Sequence, residues 1–146
     1  MKISFLALAA AVLLAGPAQA QKVAATQVPA AATATFKKNF PMVEAVQWEK
    51  EGADYEAGFD MGKAEMSAVI TAAGVLKETE TEMAVSQLPA PVQKALAVNY
   101  KAYKITEAAK IVTAATGITT YEAEVSQGGK HRDVLFNADG TEMGKK

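Results

Sequence analysis

Few side chains in this 146-residue sequence could do chemistry, and their spacing argues for recognition over catalysis. His131 is the only histidine. As a general base it would need a nucleophile and an orienting carboxylate. Period-two alternation instead groups it with Asp133 and Leu135 on the outward side of a strand, between Lys130 and Arg132. It also lacks the companions of a structural zinc site, which wants four nitrogen or sulfur ligands. Asn137-Ala138-Asp139-Gly140-Thr141-Glu142 holds some residues of a calcium loop, without the first aspartate or the closing bidentate glutamate. A glycine turn between strands accounts for it. Gly128-Gly129 has neither the lysine–serine pair nor the spacing of a phosphate loop. Carboxylates are plentiful, but no pair is marked by the apolar setting that tunes a catalytic pKa. Glu78-Thr79-Glu80-Thr81-Glu82 places three of them on one side of a strand. The plain reading is an edge or surface strand kept soluble by charge. The functional reading is an anionic strip that meets a basic partner.

These residues must be held by a fold, and composition bounds what that fold can be. Lys2, an apolar run over residues 3–14 and the small-x-small triplet Ala18-Gln19-Ala20 make residues 1–20 a signal peptide. Removing them takes the formal charge from −1 to −2, which offers no attraction to nucleic acid. No later apolar run approaches membrane-spanning length. There is no cysteine, so thiol nucleophiles, thiolate zinc sites, iron–sulfur clusters and disulfides are excluded. A periplasmic or secreted protein stabilised by its core alone is the expectation.

Residues 21–28 read as a flexible leader. From about Pro29 a short helix carries Phe36 and Phe40 on one face, and Pro41 ends it. Strands follow. Val46 and Trp48 alternate with Gln47 and Glu49; Tyr55, Ala57, Phe59 and Met61 alternate with Glu56 and Asp60; Ala64, Met66, Ala68 and Ile70 alternate with Glu65 and Ser67. Turns at Glu51-Gly52-Ala53-Asp54, Gly62-Lys63 and Ala72-Ala73-Gly74 separate them, and a fourth strand starts at Val75. The pattern then recurs. A helix from about Pro91 carries Val92, Leu96 and Tyr100; strands cover residues 105–113 and 119–125 and the segment around Val134 and Phe136; a last short strand spans residues 141–143. Tyr121-Glu122-Ala123-Glu124-Val125 repeats Tyr55-Glu56-Ala57-Gly58-Phe59 sixty-six positions on. We therefore expect a tandem repeat, residues 29–87 and 88–146, because one such unit buries too little by itself. Glu56, Glu65, Glu122, Glu124, His131 and Asp133 then fall on the outward sheet face as candidate partner-binding residues.

This order of features resembles the PepSY-like, beta-lactamase-inhibitor-protein-like family of exported bacterial proteins. The residues that carry the resemblance are Leu88-Pro89 before a helix ending near Tyr100, Tyr121-Glu122-Ala123-Glu124-Val125, and Asp133-Val134-Leu135-Phe136-Asn137-Ala138-Asp139-Gly140. A weaker copy lies in Phe40-Pro41, Trp48, Tyr55-Glu56-Ala57-Gly58-Phe59 and Gly74, departing from the pattern at Gly58 and at Ala72-Ala73-Gly74. The resemblance implies an α+β fold, a helix packed on a four-stranded antiparallel sheet, twice over. It brings no catalytic residues and no cofactor. It implies a non-enzymatic protein-binding module, an inhibitor or modulator of an envelope or secreted enzyme acting through an open sheet face. The alternative is a periplasmic small-ligand or divalent-cation sensor using the acidic face.

Overall fold

The computed structural model describes residues 21–144. The expected signal peptide, residues 1–20, lies outside them. The fold is α+β: two α-helices and eight strands that neighbour one another in chain order, β1 to β8, in one antiparallel sheet. The described chain separates into two compact units, one reaching Glu80 and including residues 113–116, the other formed by residues 81–112 and 117 onward.

In the first unit, β1 (Gln21–Val23) pairs with β2 (Gln47–Glu51), β2 with β3 (Asp54–Met61), and β3 with β4 (Ala64–Thr71). Strand β5 (Leu76–Met83) follows the tight turn at Gly74. Helix α1 (Ala30–Asn39) begins after Pro29, whose fixed φ suits a helix start, and ends at Phe40, which Pro41 bars from helical geometry. Ten residues make a marginal helix in water. Its packing holds it: Phe36 lies 5.3 Å from Phe40, 5.5 Å from Trp48 and 5.1 Å from Phe59, centroid to centroid. These rings, with Val28, Ala32, Ala57, Ala68 and Ile70, form the helix-facing core.

The second unit repeats the order of elements. Helix α2 (Ala90–Asn99) precedes β6 (Lys104–Thr113), β7 (Thr119–Gln127) and β8 (Lys130–Asn137), paired antiparallel in that order. Its core is Leu88, Val92, Leu96 and Tyr100 against Ala108, Ala123, Val125, Val134 and Phe136. Tyr55 and Tyr121 are half-buried against the helix-facing cores of their own units.

Two glycines fix how each helix meets its sheet. Gly74 (φ +85°) and Gly140 (φ +86°) pass directly beneath the first helical turn, where an added Cβ would lie 2.8 Å from the Ala31 carbonyl oxygen and 2.6 Å from that of Pro91. Only glycine combines that backbone with that clearance. The Thr35 hydroxyl donates to the Gly74 carbonyl at 2.6 Å, closing the first of these contacts.

Two expectations change. Residues 21–28 are not a free leader: Gln21–Val23 pairs with Lys50, Glu49 and Trp48, a 3-10 turn follows, and Val28 is buried in the core. The short strand expected at 141–143 is a single bridge, Phe136 with Glu142, because Gly140 and Gly144 at positive φ leave no room for a ladder. The Met143 N–H still donates to the Leu135 carbonyl at 2.7 Å. No helix among the described residues is long and apolar enough to cross a membrane.

Candidate binding face

Strand alternation gives every strand one side toward its helix and one side away, and the carboxylates gather on the side away. In the first unit the register sets them opposite one another: Glu51 faces Asp54, Glu49 faces Glu56, and Asp60 faces Glu65. Like charges directly opposite across antiparallel strands are destabilising. Glu56 is 2 % exposed, and burial, reinforced by Glu51, Glu49 and Glu78, pushes its carboxyl up to about 7 against the opposing pull of the Ser67 hydrogen bond. Burial first, and then neighbouring acids, raise Glu51; burial raises Glu78. Lys22 stands opposite Glu49 on β1, and Lys77 Nζ lies 2.8 Å from Asp54 Oδ2, a bond that raises the ammonium pKa.

In the second unit Glu107, Glu124 and Asp133 are register neighbours on β6, β7 and β8, a row of three acids. The Thr106 hydroxyl donates to Glu124 Oε1, and His131 Nδ1 lies 2.8 Å from the same oxygen. The Thr106 bond and His131 together hold the Glu124 carboxyl below its usual range. Asp133 is raised, by burial and then by Glu124 and Glu107. Glu122, flanked in register by Ala109 and Leu135, is 1 % exposed.

The expected open, solvated face is therefore corrected. Of the six candidate residues, Glu56 and Glu122 are buried, Glu65, Glu124 and Asp133 are half-buried, and His131 alone is exposed. The reason lies beside them: Val69, Ala109 and Ile111 are buried too, although they alternate with the helix-facing residues of their strands. Glu56 and Glu65 belong to the first unit and the other four to the second. The structure brings Glu124, His131 and Asp133 together.

The strip at residues 78–82 is uneven as well. Glu80 is buried, Glu78 half-buried and Glu82 exposed. Tyr100, expected on the helix stripe with Val92 and Leu96, is buried with them, donates its hydroxyl to Glu142 at 2.6 Å and lies under Arg132. Sequence reasoning missed Glu49, Glu51 and Thr106 as members of these clusters. The signal for Glu49 was present, since a two-residue turn at Gly52-Ala53 sets it opposite Glu56.

Chemically, the arrangement offers carboxylate acceptors on pleated backbone. Among the described residues, no group of three or more His, Cys, Asp or Glu is placed to hold a metal ion.

The comparisons agree with this architecture. A structure from Bacteroides eggerthii described as "putative periplasmic proteins" superposes with a TM-score of 0.71 at 18 % identity, over 80 % of this chain and 86 % of that one. A DUF2874-family protein from Bacteroides uniformis gives 0.70 at 19 %, over 79 % and 86 %. A BLIP-like protein from Bacteroides fragilis gives 0.65 at 26 %, over 81 % and 85 %. No curated protein matches the chain. The family model described as "Putative beta-lactamase-inhibitor-like, PepSY-like" matches residues 17–78 and again 70–141. With both matches spanning most of its length, the chain belongs to the PepSY-like, beta-lactamase-inhibitor-like family.

Proposed function

We propose that this chain is an exported, non-enzymatic protein-binding module built from two PepSY-like repeats, residues 29–87 and 88–146, which engages a partner protein through the strand side that, within a unit, faces away from that unit's helix. The partner we favour is an envelope or secreted enzyme that the module inhibits or modulates. One observation carries the reading. Five acidic register pairs lie on that side, Glu51–Asp54, Glu49–Glu56, Asp60–Glu65, Glu107–Glu124 and Glu124–Asp133. Like charges set directly opposite one another across strands disfavour the free protein. A partner of opposite charge relieves that repulsion. Export is supported by the charged-then-apolar start of the sequence and by the periplasmic description of a structural neighbour. The inhibitor-like description of the family, and the BLIP-like relative, support binding over catalysis.

Capture from envelope extract tests the proposal. Glu124 and Asp133 are partly accessible and lie outside both hydrophobic cores, so Glu124→Lys/Asp133→Lys is the informative variant. Wild type should retain partners that the double variant loses. Equal recovery by both proteins removes the face from consideration. Nothing in the structure favours the cation-sensor alternative, given the absence of a metal-holding group among the described residues.

A further inference from the structure

We propose that Gln21, once signal cleavage after Ala20 makes it the first residue, closes on itself to pyroglutamate and gives β1 a neutral, blocked start. The inference rests on the export reading above and assigns a covalent modification to one residue. The triplet Ala18-Gln19-Ala20 places the cleavage directly before Gln21. Cleavage turns the backbone nitrogen of Gln21 into a free α-amine within reach of its own side-chain amide. The amine nitrogen attacks Cδ, an N–Cδ bond forms and the Cδ–Nε2 bond breaks. The side-chain nitrogen leaves as ammonia, taking one proton from the amine, and no oxidant or cofactor is needed. A nucleophile tethered to its electrophile has the advantage of an intramolecular step. α-Amino groups lose their proton at about pH 7.7–8.0, so near neutrality a share of them is already nucleophilic.

The structure leaves room for this step and gives it a consequence. Gln21 is exposed, as is Lys22 after it, so no packing holds the side chain away from the amine. Register sets Gln21 opposite Lys50 on β2, which is exposed as well. An α-ammonium at Gln21 puts a second positive charge directly across from that lysine, and like charges so placed disfavour strand pairing. The lactam is neutral and removes the repulsion. It keeps one N–H, and it leaves the pairing of Lys22 with Glu49 and of Val23 with Trp48 untouched. Strand β1 is three residues long, opens the sheet order and alone neighbours β2 on that side. Chain ends of this kind fray and are the usual place for proteolytic nicking. An aminopeptidase that needs a free α-ammonium cannot start on a lactam, so cyclisation also guards β1 against trimming.

The test expresses the full chain with its own leader in a bacterial host and reads the N-terminal peptide of the exported protein by mass spectrometry and Edman degradation. The peptide starting at Gln21 should be lighter than its free-amine form by one ammonia. Edman degradation should fail until pyroglutamate aminopeptidase removes the first residue. Gln21→Glu should keep its amine and give a readable sequence from the first cycle, because a carboxylate resists attack by an amine. A Gln21 start that still carries a free amine after days at neutral pH would overturn the cyclisation and leave export standing. A start at any other residue would overturn it too, and would move the cleavage site of the export reading. Neither result touches the binding face, which partner capture by Glu124→Lys/Asp133→Lys tests separately.

Discussion

Glu56 is the residue whose setting departs furthest from what its neighbours in sequence suggest. Flanked by Tyr55 and Ala57, it reads as the wet side of an amphipathic strand, and the fold buries it. The consequence is a definite pH dependence. The folded chain keeps the Glu56 proton to about 7, while the unfolded chain releases it near the ordinary value of 4.5. Between those values the folded state binds more protons, so stability falls as pH rises, and above about 7 this group adds no further slope. The loss is on the order of 3 kcal/mol at most. Urea unfolding across that range should show it, and Glu56→Gln should flatten the profile and raise stability on the alkaline side. A profile unchanged by Glu56→Gln would mean that the carboxyl titrates normally in the folded chain.

At the scale of elements, each short helix is positioned by a glycine under its first turn. Gly140→Ala must clear the Pro91 carbonyl, 2.6 Å from the new Cβ, and must also hold φ at +86°. Gly128→Ala meets nothing within 4 Å and carries only the backbone strain. We expect Gly140→Ala to cost about 3 kcal/mol or more and Gly128→Ala about 1–2 kcal/mol, measured by chemical denaturation. Equal costs would show that the helix yields at Pro91. Element positions were largely legible in sequence. Strands β3 and β4 follow period-two alternation closely, and Pro41 marks the end of α1 because proline acts on its immediate neighbour. Strand β1 was not legible: Gln21–Val23 has three residues, no alternation to read, and gains its ladder only from β2.

At the scale of the molecule, the acidic side decides between a protein partner and a cation. Calcium should leave the melting temperature where calcium-free buffer of equal ionic strength leaves it, because no group of three or more His, Cys, Asp or Glu among the described residues is placed to hold a metal ion. A calcium-specific rise would return the cation-sensor reading. What sequence alone determined is the local part: two short helices, the strands that carry Tyr55 and Tyr121, the glycine turns, the family, and even the Glu49–Glu56 opposition, since a tight turn dictates its own register. Alternation says which side of a strand a residue occupies, and it is silent on what covers that side. Tertiary structure decided that Glu56 and Glu122 are buried and that one oxygen of Glu124 is shared by the Thr106 hydroxyl and His131. Desolvation depends on atoms brought from distant positions in the chain, and no period in the sequence encodes them.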